Sequence, residues 1–177
     1  MKTLLAIALA VLGAAFALPA SAQSDPVLSG DQITESALID ALAPPTMMTR
    51  GLRPPGTGAT PKRPAGASLL IEFKTNSTEL TPQAREQLDI VGKALNTERL
   101  VALSFQVIGH ADPRGNSDAN QRLSEGRAQS VRAYLVSSLN VESARLTALG
   151  MGDREPLNRE NPAAPENRRV QIVRMAP

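Results

Sequence analysis

Two charged residues in segment 107–135 have the types and spacing of a ligand-binding pair. Asp112 follows an apolar run that predicts a strand, and Arg127 lies on the long helix predicted next along the chain. On a helical wheel of about 100° per residue, Arg127 and Asn120 fall inside the apolar arc. That arc is formed by Leu123, Val131, Tyr134 and Leu135. A guanidinium that faces a core needs a partner, because an unpaired buried charge is strongly unfavourable. Asp112 is placed to provide one.

The pair of Asp112 and Arg127 permits two interpretations. It can be a structural ion pair that fastens the loop to the helix. It can also be a clamp for a zwitterion, in which Asp112 takes an ammonium group and Arg127 takes a carboxylate through two parallel hydrogen bonds. Amino acids are the most obvious zwitterionic ligands.

The composition excludes most kinds of catalytic and metal-binding site. The chain of 177 residues has no Cys and a single His, His110, so thiol catalysis and multi-histidine metal sites lack their ligands. Ser117 and Ser124 are weak candidates for a nucleophile, because no oxyanion hole or orienting third group accompanies His110. We therefore expect a non-enzymatic protein without metal or cofactor. Aromatic residues make up 2% of the chain and the net charge is +2, which argues against nucleic-acid binding.

Strands and helices alternate from residue 68 onward and would position these residues. Residues 69–73 predict a first strand, and Thr81 and Pro82 predict a helix start with an N-cap and a proline in the first turn. Further strands are predicted at residues 101–108, 146–149 and 170–174, and a long helix at residues 117–137. The pattern predicts an α+β two-layer sandwich, with about four strands in a mixed sheet and two to three helices on one face.

The first 66 residues have a different character. Residues 1–22 combine Lys2, an apolar run and the cleavage pattern Ala20-Ser21-Ala22, which indicates a signal peptide; an uncleaved membrane anchor is the alternative. Residues 23–66 contain seven prolines, which predicts an extended linker with one short helix at residues 33–42. The mature protein is therefore expected to begin near Gln23 and to work outside the cytoplasm.

Four segments together resemble the OmpA-like C-terminal domain family, a peptidoglycan-binding module that OmpA, Pal and MotB proteins share. They are Phe73-x3-Ser77-x2-Leu80, VIGHADPRGNSDANQRLSEGRAQSVRAYL at residues 107–135, ALGMGDREP at residues 148–156, and ENRRVQI at residues 166–172. Four ordered motifs form a specific match. The resemblance implies an OmpA-like domain at residues 67–177 that binds the meso-diaminopimelate residue of the peptidoglycan stem peptide.

The resemblance also assigns the site residues. The family's clamp for meso-diaminopimelate falls on Asp112 and Arg127, Asn120 would brace the loop or the ligand, and Phe73 matches an aromatic residue that lines the groove. The other expected positions are Asn167 and Arg168 of the NRR motif, and Ala111, where the family usually has Thr.

The resemblance implies a periplasmic protein that helps anchor the cell envelope, associated with the outer membrane, to the wall. A Pal-type protein is disfavoured because no Cys can be lipidated, and residues 23–66 are too short to supply a small membrane barrel. The alternative function is that of an adaptor, whose extension at residues 23–66 docks an outer-membrane or secretion-system partner while the domain holds the wall.

Overall fold

A computed structural model describes residues 26–44, 65–74 and 76–176 of the chain. Its strands are β1 (Val27–Leu28), β2 (Gly66–Leu69), β3 (Phe105–His110), β4 (Leu146–Gly152) and β5 (Val170–Arg174). Its α-helices are α1 (Glu35–Leu42), α2 (Pro82–Leu95) and α3 (Ser117–Ser137), and short 3-10 turns lie at Gly30–Gln32, Ser143–Arg145 and Pro165–Asn167. Within these ranges, none of the helices combines the length and the apolar character needed to cross a bilayer.

The strands form one mixed sheet in the order β1-β2-β5-β3-β4. β5 is antiparallel to both of its neighbours, whereas β1 is parallel to β2 and β3 is parallel to β4. Strands β1 to β4 therefore all run in the same direction. Their carboxyl ends meet at one edge of the sheet, and the loops that leave this edge can contribute to a common site.

The helices pack on the sheet over an aliphatic core. α3 crosses β3 and β4, and α1 packs against both α2 and β2. The close approach of α3 depends on two glycines in the strands beneath it. A Cβ atom at Gly150 would lie 2.6 Å from the Cβ of Glu125, and one at Gly109 would overlap the Ser124 carbonyl. A side chain at either position would push the helix that carries Arg127 away from the sheet.

The helix starts that the sequence predicts are confirmed by their caps. The hydroxyl of Thr81 accepts a hydrogen bond from the Ala84 amide at 3.1 Å, and Pro82 occupies the first turn of α2. The side chain of Asn116 accepts from the Ala119 amide at 3.1 Å at the start of α3. These bonds satisfy amides that the first turn of a helix leaves without a backbone partner.

The strand predictions need three corrections. The first predicted strand ends at Leu69 rather than residue 73, and Phe73 instead forms an isolated antiparallel bridge with Leu80. The strand predicted from residue 101 begins at Phe105, because a turn precedes it in which the Leu103 amide donates to the Leu100 carbonyl. The third strand continues past residue 149 to Gly152. The last strand, Val170–Arg174, is as predicted.

The sheet has five described strands rather than about four, because β1 comes from the predicted linker. Its backbone accepts hydrogen bonds from the next strand, from Ser68 to the Pro26 carbonyl at 2.9 Å and from Leu70 to the Leu28 carbonyl at 3.0 Å. A strand of two residues beside a proline is too short for apolar alternation to reveal it.

The segment at residues 26–44 is packed on the domain, whereas the composition of residues 23–66 predicts a tether. Ile33, Leu38 and Leu42 are almost fully buried in the same core as the sheet and α2. The Leu42 carbonyl also accepts a hydrogen bond from Arg174 Nη1 at 3.2 Å. The predicted signal peptide and the rest of the predicted linker, residues 45–64, lie outside the described residues.

Candidate ligand-binding site

A pocket of about 600 Å³ lies where the carboxyl ends of β1, β2 and β3 meet the start of β5. Three guanidinium groups line it, those of Arg114, Arg127 and Arg168. The other lining residues are Ser29, Gly30, Leu70, Ile71, Glu72, Phe73, Asn76, Gln83, Gln87 and Pro165. The pocket therefore combines cationic groups and amides with several apolar side chains.

Asp112 lies behind two of these guanidiniums and is only 7% exposed. Its Oδ1 accepts hydrogen bonds from Arg114 N at 3.2 Å and Arg114 Nε at 3.1 Å. Its Oδ2 accepts from Arg114 Nη2 at 2.8 Å and Arg168 Nη1 at 2.9 Å. The hydrogen bonds from Arg114, together with that from Arg168, outweigh the effect of burial and lower the pKa of Asp112 to about 2. The carboxylate is thus ionised at neutral pH and fully hydrogen-bonded.

Arg127 reaches the pocket from α3 and is 9% exposed. Its Nε donates to the Ser77 carbonyl at 3.1 Å, and its guanidinium lies 4.9 Å from the centre of the Phe73 ring. Among the described residues, Nη1 and Nη2 have no hydrogen-bond partner. Burial and the nearby charge of Arg168 lower the pKa of Arg127. A cation held in this way is prepared to bind an anion through its two free nitrogens.

The direct ion pair that was one of the two interpretations of Asp112 and Arg127 is not formed within the described residues. Each residue has other partners: Asp112 is held by the guanidiniums of Arg114 and Arg168, and Arg127 by the Ser77 carbonyl and the Phe73 ring. The sequence correctly placed Arg127 facing inward. The direct pairing with Asp112 was wrong, because a helical wheel does not show that the loop before α2 brings the Ser77 carbonyl to Arg127.

Asn120 and Ala111 hold the loop that carries Asp112. Asn120 Nδ2 contacts the backbone carbonyls of Asp112 at 3.1 Å and Arg114 at 3.2 Å, and also Asp153 Oδ2 at 3.2 Å. The Ala111 amide donates to the Gly152 carbonyl at 2.8 Å, and its side chain is buried. Neither residue lines the pocket, so both act on the position of Asp112.

Asn167 and Arg168, the two site residues expected in the NRR motif, have separate places. Arg168 lines the pocket and pairs with Asp112. Asn167 is fully buried outside it, where Nδ2 donates to the carbonyl of Pro162 at 2.9 Å and Oδ1 accepts from the Asn158 amide at 2.8 Å. Asn167 therefore fixes the loop before β5 and, through it, the position of Arg168.

His110 does not line the pocket. It is 1% exposed, and Nε2 lies 3.2 Å from Gln171 Oε1 on the neighbouring strand. Burial, reinforced by the charge of Arg169, lowers the pKa of His110 to about 4, so the ring is neutral at pH 7. In the part of the chain that the structure describes, no group of three His, Asp or Glu side chains is placed to hold a metal ion.

Several lining residues were not identified from the sequence. Arg114 was not singled out, although its position two residues after Asp112 allows a bidentate contact. Gln87 is buried on α2 among apolar residues, and a polar residue at such a position is a usable signal. Ser29 and Gly30 belong to the predicted linker, and only the pairing of β1 with β2 brings them to the pocket.

The OmpA family model matches residues 72–169, more than half of the chain. The chain therefore belongs to the OmpA family. This stretch contains Phe73, Asp112, Asn120, Arg127 and Arg168.

Similar proteins occur in several bacteria. The probable lipoprotein YiaD of Escherichia coli (strain K12) is 31% identical over 125 residues, which cover 67% of this chain and 56% of that protein. Outer membrane protein A of Buchnera aphidicola subsp. Schizaphis graminum is 32% identical over 107 residues, covering 60% of this chain and 30% of that protein. The chain thus spans less than two thirds of the length of these curated relatives.

The solved structures agree with the fold described above. The peptidoglycan-associated lipoprotein from Burkholderia pseudomallei is 28% identical and superposes with a TM-score of 0.51. The match covers 64% of this chain and 91% of that one. The protein has the α+β OmpA-like fold, here with a five-stranded mixed sheet and three helices packed on it.

Proposed function

We propose that this domain binds peptidoglycan non-covalently through the meso-diaminopimelate residue of the stem peptide. The observation that carries the proposal is Arg127, a buried guanidinium in the pocket with Nη1 and Nη2 free of partners among the described residues. OmpA-like domains are generally peptidoglycan-binding modules, and one solved relative is a peptidoglycan-associated lipoprotein. Diaminopimelate in a stem peptide keeps one free carboxylate and one free ammonium on the same carbon.

Arg127 would bind the carboxylate of this group. Its Nε bond to the Ser77 carbonyl and its contact with Phe73 fix the guanidinium plane, so the two remaining nitrogens can make parallel hydrogen bonds to both carboxylate oxygens. Phe73 covers one face of the guanidinium and excludes water from the contact.

Asp112 would bind the ammonium, and this requires a rearrangement. A carboxylate accepts about four hydrogen bonds, and Arg114 and Arg168 already supply that number. The side chain of Arg114 is 64% exposed, whereas that of Asp112 is 9% exposed. Because the Arg114 side chain is exposed, it can move into solvent when the ligand ammonium supplies the charge-assisted hydrogen bonds that Asp112 would otherwise lose. Arg168, braced by Asn167, would stay on Asp112.

This arrangement would distinguish diaminopimelate from Lys in the wall peptide and would not require any catalytic step. A Lys side chain in a wall peptide has an amine but no adjacent carboxylate, so it would leave Arg127 desolvated without an anion. Such an unpaired group costs about 1–3 kcal/mol. We infer a preference for diaminopimelate-type walls and a purely binding role.

A pull-down with purified sacculi tests the proposal. The mature protein should sediment with diaminopimelate-type sacculi and much less with Lys-type sacculi at equal wall mass. Equal binding to both types would overturn the clamp. Loss of binding to both would overturn the wall-binding function.

We also propose a periplasmic location in the envelope, following removal of residues 1–22, in keeping with relatives that are named as outer-membrane proteins and lipoproteins. The adaptor alternative has less support. In the described part of this extension, the apolar side chains of Ile33, Leu38 and Leu42 are already buried against the sheet and α2 and are not available to a partner.

A further inference from the structure

The pocket extends well beyond the clamp residues. Its lining runs from Arg114, after β3, to Ser29 and Gly30, after β1. Three strand spacings separate β1 from β3 in the sheet order, which is about 14 Å at about 4.8 Å per spacing. An extended peptide rises about 3.4 Å per residue, so the pocket matches a chain of about four residues. A single free amino acid would occupy only the part near Arg127.

Gln87 gives the pocket a further group that could recognise a ligand. It comes from α2, lines the pocket and is only 6% exposed, yet its Oε1 has no hydrogen-bond partner among the described residues. A buried amide without a partner is unfavourable. Rotation about the last side-chain bond exchanges Oε1 and Nε2, so Gln87 can offer either an acceptor or a donor. A peptide amide bond requires both.

The N-terminal segment closes the other end of the pocket. Gly30 has φ of +49°, and a Cβ atom built there meets nothing within 4 Å. The turn is held by Gln32, whose Oε1 accepts from the Ser29 amide at 3.2 Å, and by β1 itself. This wall is therefore backbone with open space in front of it, which is suited to the close approach of another peptide chain.

We propose that this part of the pocket binds the peptide portion of the stem, with Gln87 and the turn at Ser29 and Gly30 contacting its amide groups. The inference rests on the proposed function, because it places the diaminopimelate end at Arg127. In this proposal the N-terminal segment is part of the ligand site, and the protein recognises both the zwitterionic group and the peptide to which it is attached.

Calorimetric titration with two probes tests this inference on the full mature chain. The probes are free meso-diaminopimelate and the stem peptide L-Ala-D-Glu-meso-diaminopimelate. We expect the wild-type protein to bind the peptide about tenfold more tightly than the free amino acid, which corresponds to about 1.4 kcal/mol. Gln87→Met should remove most of this preference and leave the affinity for free diaminopimelate unchanged.

Two further variants complete the experiment. Gly30→Asn introduces a residue type that tolerates a positive φ and places a side chain in the open space. It should therefore weaken binding of the peptide and leave binding of free diaminopimelate unchanged. Gln129→Met makes the same change as Gln87→Met at an exposed position of α3 and should change neither affinity. Thermal melting identifies any variant that fails to fold.

The outcomes separate the two proposals. Equal wild-type affinity for the two probes overturns the inference and leaves the clamp standing, as does an unchanged peptide preference in folded Gln87→Met and Gly30→Asn variants. If the wild-type protein binds neither probe, the proposed function fails as well.

Discussion

Arg114 occupies both carboxylate oxygens of Asp112, with Nε 3.1 Å from Oδ1 and Nη2 2.8 Å from Oδ2. The two residues stand in the same short loop, so the contact forms without help from the rest of the fold. Arg168 approaches the same carboxylate from a loop 56 positions further along the chain. The local contact comes from an exposed guanidinium that can move into solvent, whereas the distant one joins the loop after β3 to the loop before β5.

Arg114→Ala should therefore strengthen the binding of free meso-diaminopimelate. The variant removes a competitor for Asp112 and a positive charge that repels the ligand ammonium. The ligand would no longer have to replace the hydrogen bonds between Arg114 and Asp112, each of which contributes about 1 kcal/mol net, so we expect an increase of about fivefold or more in calorimetric titration. The matched control is Arg122→Ala, at an exposed position of α3, which should leave the affinity unchanged. Weaker binding by folded Arg114→Ala would show that Arg114 contacts the ligand itself.

Arg127→Lys should lose most sacculus binding although the charge is retained. An ammonium cannot make two parallel hydrogen bonds to a carboxylate, and it would also lose the planar contact with Phe73. Loss of one charge-assisted hydrogen bond predicts a decrease of about tenfold or more. Arg122→Lys makes the same change on the exposed face of the helix and should bind like the wild type. Sedimentation with diaminopimelate-type sacculi across a concentration series measures both. Full binding by the Lys variant would exclude bidentate recognition.

His110 should make the domain less stable as the pH falls from about 6.5 to about 4. Burial lowers the pKa of His110 from 6.5 to about 4, so within this window the unfolded chain binds a proton that the folded domain does not. The free energy of unfolding should fall by about 3 kcal/mol across the window. His110→Gln retains a side-chain donor toward Gln171 and removes the titration. Urea unfolding at several pH values should show a flatter profile for this variant, and an identical profile would refute the assignment.

Leu38→Ala should destabilise the whole domain, because this side chain of the N-terminal segment is fully buried in the common core. Large-to-small changes at such positions cost about 2–5 kcal/mol. Leu149→Ala is the matched control, since Leu149 is 38% exposed, and it should cost about 0.5 kcal/mol. Urea unfolding followed by circular dichroism measures both. If Leu38→Ala left the transition unchanged, residues 26–44 would not fold together with the rest of the domain.

The regular elements were largely predictable because their signals are local. α3 was predicted with its observed bounds from apolar periodicity, and β5 from a run of β-branched residues between breakers. The inward position of Arg127 followed from the same periodicity. These features depend on residues within a few turns of one another, which a sequence displays directly.

The contacts of the site were less predictable because they join distant segments. Arg127 is held by the Ser77 carbonyl, 50 positions away, and a backbone atom carries no residue-type signal. β1 has two residues, and it becomes a strand only because the edge of β2 offers unpaired backbone groups. Proline content marked this segment as a linker, although the aliphatic residues of α1 had enough apolar surface to join the core.

The direction of β1 has a mechanical consequence. The chain enters β1 at Val27, and the pocket lies beyond its other end, at Ser29 and Gly30. In a chain that kept residues 1–22 as an uncleaved membrane anchor, tension between a bound wall fragment and that anchor would therefore act along the strands. Hydrogen bonds in a sheet lie across the strands. Such a pull would therefore load all the hydrogen bonds between β1 and β2 at once, in shear, and would not break them one after another. The same geometry lets ligand binding resist the pull, because a ligand seated against Ser29 and Gly30 would hold the far end of β1 in place.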